Sequence, residues 1–120
     1  MTNTEIVLAF IDSWNRMDWD AVMAALHEDV IYHNIPMEKL EGKAAAEQFI
    51  RGMQPEGVDW ETISIAESGN RVLTERVDRF DMPGGRKVEL PVMGTFEIVD
   101  GRIIAWRDYF DLDTFRRQMS

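Results

Sequence analysis

The second half of this chain most narrows what it can fold into. Val58 to Ser68, Arg71 to Asp81, Lys87 to Val99 and Arg102 to Phe110 are four strand-like runs, separated by Gly69-Asn70, Met82-Pro83-Gly84-Gly85-Arg86 and Asp100-Gly101. Such separators are hairpin turns, and Asp-Gly suits the two-residue turn that needs positive φ at both centres. The spacing predicts an antiparallel meander. Upstream the period changes: Ile6, Val7, Phe10, Ile11 and Trp14 fall at helical spacing between Thr4 and Arg16, with Thr4 predicted as N-cap. A second helix is predicted from Asp18 to Leu26, with Asp18 as cap and Trp19, Val22, Met23 and Leu26 as its apolar stripe, and a third from Lys43 to Met53. Between these helices Val30 to Ile35 reads as a short strand that Pro36 ends. Helices first and strands afterwards, with one early strand, is an α+β order. It predicts a curved mixed or antiparallel sheet whose concave face wraps around N-terminal helices.

Composition enters as exclusion. At 120 residues the expectation is one domain over 1–120, large enough to bury a core without disulfides or a structural metal. No apolar run reaches the roughly 20 residues of a membrane-spanning helix. The opening Met1-Thr2-Asn3-Thr4-Glu5 lacks the basic region of a signal peptide and cysteine is absent, so the expected location is cytoplasmic. A net charge of −9 without a Lys/Arg cluster argues against nucleic acid and anionic membrane as partners. Two histidines and no cysteine supply zinc and thiol chemistry poorly, and no cofactor or metal is expected.

Strand side chains alternate faces, and alternation exposes an anomaly in the last run. Ile104, Trp106, Asp108 and Phe110 are predicted on one face, opposite Ile103, Ala105, Arg107 and Tyr109. A carboxylate between Trp106 and Phe110 is costly unless it is paired, hydrogen-bonded or in a cleft. In the second run Val72, Thr74, Arg76, Asp78 and Phe80 share a face; in the third, Val88, Leu90, Val92, Gly94, Phe96 and Ile98 form the apolar face. If Tyr32 and Asn34 of the early strand point into the same concavity, five polar groups converge: Tyr32, Asn34, Arg76, Asp78 and Asp108. His33 falls on the other face. His27 is read at a helix end, where a cation-capable residue suits the dipole. Trp14, Trp19 and Met23 read as core, while Met37 and Met53 read either as the cavity's border or as gap-fillers of the core.

Two aspartates sharing one arginine in an apolar cavity carry a net −1 when both are ionised. Desolvation favours one shared proton, which makes one carboxyl an acid and the other a base. Arg76 offers a planar fork able to hold one carboxylate on each side. Tyr32 and Asn34 can hydrogen-bond a water. Water, base and acid together make a site for one-step hydrolysis without a covalent intermediate.

Four strings then carry a resemblance: Tyr32-His33-Asn34-Ile35-Pro36-Met37, Thr74-Glu75-Arg76-Val77-Asp78, Leu90-Pro91-Val92-Met93-Gly94 and Trp106-Arg107-Asp108-Tyr109-Phe110-Asp111. In order and spread over most of the chain, they resemble the limonene-1,2-epoxide hydrolase family. The resemblance implies a cone-shaped fold of the nuclear transport factor and ketosteroid isomerase type (cystatin-like, SnoaL-like), assembled as a homodimer across the sheet. It implies an Asp-Arg-Asp triad with Asp108 as general base, Asp78 as general acid and Arg76 between them, while Tyr32 and Asn34 hold the attacking water. Phe80, Leu90, Val92, Trp106 and Phe110 are implied as the pocket for a small apolar epoxide, cyclic or terpene-like. Two other functions remain open on this scaffold: a ketosteroid isomerase-like or polyketide cyclase-like enzyme, in which an aspartate removes a proton beside a carbonyl, and a module that only binds apolar ligands.

Overall fold

The computed structural model describes residues 1–120 as four helices and one six-stranded sheet. Helix α1 (Asn3–Asn15) is capped by Thr2 rather than Thr4. The Thr2 hydroxyl accepts from the Glu5 amide at 3.1 Å, and Glu5 Oε1 accepts from the Thr2 amide at 2.8 Å. This reciprocal box satisfies two donors at the helix end, where a cap at Thr4 would satisfy one. Thr4 instead donates its amide and hydroxyl to Glu67, both at 2.8 Å, and so ties α1 to the sheet.

Helix α2 (Trp19–Ala24) keeps the predicted Asp18 cap but stops short of Leu26. Leu26 opens strand β1 (Leu26–Asn34), which starts well before the predicted Val30. Pairing decides this. Leu26 lies opposite Ile103 in a parallel ladder, and the Ala25 carbonyl accepts from the Ile103 amide at 2.9 Å. Local apolar spacing cannot register a partner so distant in sequence. His27 therefore sits in a strand, with its Nδ1 accepting from the Asp29 amide at 3.0 Å, and the helix-end role expected for it does not hold.

Strand β2 (Leu40–Glu41) follows, then α3 (Lys43–Met53) with the predicted bounds. Strands β3 (Gly57–Ser68), β4 (Arg71–Met82), β5 (Arg86–Val99) and β6 (Arg102–Tyr109) keep to the predicted runs, differing by one residue at a single end of each. Asp100 and Gly101 take φ of 54° and 75°, as the predicted turn requires. A last helix, α4 (Leu112–Met119), is capped by Asp111 and was not expected.

The sheet order is β2-β1-β6-β5-β4-β3, with β1 and β6 parallel and every other pair antiparallel. Its inner face packs Phe96 and Trp106 against Phe10 of α1, and Val7, Ile11 and Trp14 of α1, Ala46 and Ile50 of α3, and Val72 and Val88 of the sheet join the same core. Irregularities in β1, in β3 beside Ile63 and between β5 and β6 mark where the ladder departs from regular pairing. The last corrects the predicted faces of β6. Ala105 lies opposite Glu97 but Ile103 lies opposite Ile98, so Ile104 is the extra residue of a bulge. One extra residue reverses parity, and Ile103, fully buried, takes the inward place expected of Ile104. Trp106 and Asp108 lie beyond the bulge and keep their inward direction. No helix is long and apolar enough to cross a membrane.

Candidate active site

Strands β4, β5 and β6 lie side by side at the centre of the sheet, and their inner faces carry the predicted charges. Arg76, Asp78 and Asp108 are 1%, 4% and 3% exposed. Arg76 Nε donates to Asp78 Oδ1 at 3.0 Å, and Nη2 donates both to Asp78 Oδ2 at 2.9 Å and to Asp108 Oδ2 at 3.0 Å. The guanidinium thus grips Asp78 with two nitrogens and shares one of them with Asp108. Thr74 completes the fork, accepting from Nη1 at 3.0 Å and donating to the Gly94 carbonyl at 3.2 Å.

This bridge must cross β5, and Gly94 makes the crossing possible. Gly94 is the β5 residue opposite both Thr74 and Asp108. A Cβ there would stand 2.6 Å from Asp108 Oδ1 and 3.1 Å from Thr74 Oγ1, and would collide with Arg76 Nη1. In sequence Gly94 looked like one more member of an apolar face. The available signal was a glycine inside a strand, which weakens the strand and often marks close approach of another group.

Aromatic rings hold the charged trio. The Trp60 ring lies 5.0 Å from the Arg76 guanidinium carbon, a cation–π contact to a desolvated cation. Trp106 Nε1 donates to Asp108 Oδ1 at 2.9 Å, and its ring stacks on Tyr32 at 4.0 Å. Fully buried and absent from the cavity wall, Trp106 orients Asp108 from behind; the wall position implied for it by resemblance is corrected. Arg76 likewise stands behind the two carboxylates.

The cavity in front has a volume of about 70 Å³. Tyr32, Asn34, Asp78 and Asp108 line it, with Phe80, Leu90, Val92 and Phe110 as apolar wall, as do Met37 and Met53 at its border. The structure adds Trp14, Phe49, Trp60 and Phe115, which the sequence had not placed there. Trp14 had read as core alone, and it is both. A wider space of about 480 Å³ adjoins it, sharing Met37, Phe49, Met53, Phe80 and Phe115 and adding Met82, Val88 and Met119. The Tyr32 hydroxyl lies 3.5 Å from Asn34 Oδ1, a long contact that leaves both groups free to take a third partner. His33 and Arg107 point elsewhere, His33 Nε2 to the Met37 carbonyl at 3.0 Å and Arg107 to Glu97 at 2.8 Å.

Burial pushes the Asp78 carboxyl up to about 6; Arg76 opposes the rise and the Asp108 charge adds to it. Burial, then Asp108, push the Tyr32 hydroxyl upward, so it stays protonated and able to donate. For Arg76, burial works against the charge, but Asp108 and Asp78 outweigh it and the guanidinium stays charged. An apolar cavity that ends on two carboxyls, one disposed to hold a proton, can give a proton to one atom of a ligand and take one from another. No group of three or more His, Cys, Asp or Glu is placed to hold a metal.

The sequence model of the limonene-1,2-epoxide hydrolase catalytic domain matches residues 1–120. The chain belongs to the limonene-1,2-epoxide hydrolase family. It is a catalytic member of the epoxide hydrolase type on a fold of the nuclear transport factor 2 kind. Over 112 residues it is 38% identical to epoxide hydrolase EphG of Mycobacterium tuberculosis, covering 92% of this chain and 74% of that protein. A solved M. tuberculosis LEH-like epoxide hydrolase matches it with a TM-score of 0.86 at 35% identity, over 97% of this chain and 87% of that one. The same fold also hosts other names. A candidate polyketide cyclase from Xanthomonas campestris pv. campestris matches with a TM-score of 0.81 at 27% identity, over 98% of this chain and 96% of that one.

Proposed function

We propose that this limonene-1,2-epoxide hydrolase family member adds water to an apolar, cyclic or terpene-like epoxide to give a vicinal diol, in one step and without a covalent enzyme intermediate. The observation that carries it is the bridge of Arg76 to both Asp78 and Asp108 at the end of an apolar cavity. Tyr32 and Asn34 hold a water against Asp108. As the water oxygen bonds to the far side of one ring carbon, a water proton passes to the Asp108 carboxylate. The ring C–O bond breaks, and its electron pair takes the proton of Asp78. The diol leaves, and return of the proton from Asp108 to Asp78 restores the starting state. Little more is needed, because the strained ring supplies much of the driving force. Phe80, Leu90, Val92 and Phe110 hold the hydrocarbon body, and such walls select for shape, with modest discrimination per methylene.

A single turnover in oxygen-18 water tests the mechanism. Direct attack labels the diol in the first turnover. Unlabelled diol would mean a carboxylate nucleophile and would sink it. The candidate polyketide cyclase among the structural neighbours supports a second reading, abstraction of a proton beside a carbonyl. That reaction needs a base and a site for the developing oxyanion, and makes no use of an arginine locked between two acids. Deuterium exchange at such a position in a panel of cyclic ketones, with no epoxide opened, would favour it.

The active unit in this proposal is a homodimer formed across the outer face of the sheet. Supporting it, Ile63, Leu73, Met93 and Tyr109 on β3 to β6 are 44–54% exposed, an apolar surface facing away from the core.

A further inference from the structure

Strand β3 ends the sheet, so one of its edges has no neighbouring strand, and the amides and carbonyls on that edge need other partners. Helix α1 lies against this strand and is tied to it near both of its ends. At the start Thr4 reaches the Glu67 carboxylate. At the end Asn15, the last residue of α1, takes both backbone groups of Trp60: Oδ1 accepts from the Trp60 amide at 2.7 Å and Nδ2 donates to the Trp60 carbonyl at 3.1 Å. One side-chain amide thus does, at a single residue, what a neighbouring strand would do.

The clamped residue stands next to the acid. Trp60 lies opposite Asp78 in the β3–β4 ladder. An antiparallel residue whose amide points out of the ladder belongs to a non-hydrogen-bonded pair, the kind in which facing side chains come closest. The Trp60 ring reaches the Arg76 guanidinium, 5.0 Å from its carbon, and also stacks on Trp14 with 4.4 Å between centroids. Trp60, Asp78 and Asp108 line the cavity, whereas Arg76 does not. That separation matters for the chemistry. A guanidinium carries five N–H donors in a rigid fork. Open to the cavity, they would bind the attacking water or the epoxide oxygen and draw both away from Asp108 and Asp78. Under an aromatic face, which attracts a cation without taking its hydrogen-bond donors, they are left to the two carboxyls and Thr74.

We propose that Asn15 is a positioning residue of this site: by clamping the Trp60 backbone on the free edge of β3, it holds the indole ring as a cover over Arg76 on the cavity side, which reserves the guanidinium for the two aspartates and keeps water off it. The role rests on the trio being the hydrolase site. Asn15 is not part of the cavity wall and acts only through Trp60.

The carboxyl carbon of Asp78, assigned with Asp78→Asn and followed by carbon-13 NMR against pH in the ligand-free protein, reads the cover directly. The titratable groups facing Asp78 are Arg76 beside it, Asp108 from β6 and Tyr32 from β1, and burial is what raises it to about 6. Water admitted by Asn15→Ala relieves that burial. The midpoint is therefore expected to fall, the proton being held about threefold less tightly or weaker still, a shift of about half a pH unit or more. Glu67→Ala cuts the other tie between α1 and β3 and should leave the midpoint in place. An unchanged midpoint in Asn15→Ala, or an equal fall in Glu67→Ala, overturns the proposal and makes Asn15 a strut like Thr4. If Asn15→Ala does not fold, Trp60→Phe decides, since its smaller ring keeps the backbone clamp and thins the cover: the midpoint should fall there too, and an unchanged one overturns the role. No epoxide is opened in these titrations, so failure of the hydrolase proposal and failure of the positioning role are separate results. In turnover, Asn15→Ala should lower kcat about tenfold, as a small misplacement of reacting groups does, with KM changed less than about threefold. A loss confined to KM overturns the role.

Discussion

The residue on which the site turns is Gly94, which carries no functional group. Only a missing side chain lets the Arg76 guanidinium pass over β5 to reach Asp108. Gly94→Ala is expected to break the bridge at the cost of a buried ion pair, about 3–5 kcal/mol, seen as a lower thermal midpoint together with loss of diol formation. Asp78→Asn and Asp108→Asn keep shape and remove one half of the proton traffic. Each should lower kcat by about 100- to 10,000-fold with the circular dichroism spectrum unchanged. Retained activity in either variant removes its residue from the mechanism. The Asp78 acid must enter the reaction protonated, so kcat/KM should fall as pH rises through about 6. The sign for stability is the same. The ordinary value for such a carboxyl is 3.8, so the folded state holds this proton more tightly than the unfolded chain does. Its contribution is fully present below that value and is lost as pH rises through about 6. Asp78→Asn should flatten that part of a chemical-denaturation profile against pH. Asp78 and Arg76 could be read from the sequence because they lie two apart on one strand. Thr74, Trp60 and Gly94 could not, because their roles depend on which strands become neighbours.

Helix α4 was the least legible element. It has no buried residue, and what fixes it is an edge. The first half of β5 has β4 on one side only, since β6 pairs with β5 from Met93 onward. Gln118 covers part of the gap, its Oε1 accepting from the Glu89 amide at 2.5 Å and its Nε2 donating to the Glu89 carbonyl at 3.0 Å. One amide side chain thus takes the place of a missing strand, and it sets Phe115 and Met119 over the wider space that adjoins the cavity. Gln118→Ala should loosen α4 without touching the trio. Faster limited proteolysis near the C-terminus and a several-fold higher KM are expected, with kcat changed less than about threefold. An equal loss of kcat would place α4 in the chemistry instead of at the entrance. The shortening of α2 has a similar origin: residues with helical spacing were taken by a parallel ladder to β6, since tertiary pairing outweighs differences in propensity of a few tenths of a kcal/mol.

At the scale of the whole molecule, the sheet separates two surfaces of different character. Its inner face holds the cavity and its outer face carries Leu73 and Met93 in the open. Met93→Glu combined with Leu73→Glu is expected to shift sedimentation from dimer to monomer while the melting transition stays cooperative; unchanged sedimentation would refute assembly through this face. The sequence by itself determined the α+β class, the meander with its turns, α3, and that Arg76 and Asp78 share one strand face and Asp108 the face of Trp106; with neither face of the Arg76 strand cleanly apolar, it left open which of them turns inward. Period and turn chemistry are local, and alternation places a side chain once the strand is known. The tertiary structure alone decided that β1 begins at Leu26, that the β6 bulge turns Ile103 inward, that Trp106 stands behind Asp108, and that Trp14 and Trp60 stack on one another beside the cavity. Each of these depends on pairing between strands, or on packing between a helix and the sheet, far apart in the chain, and no local pattern encodes a partner's register.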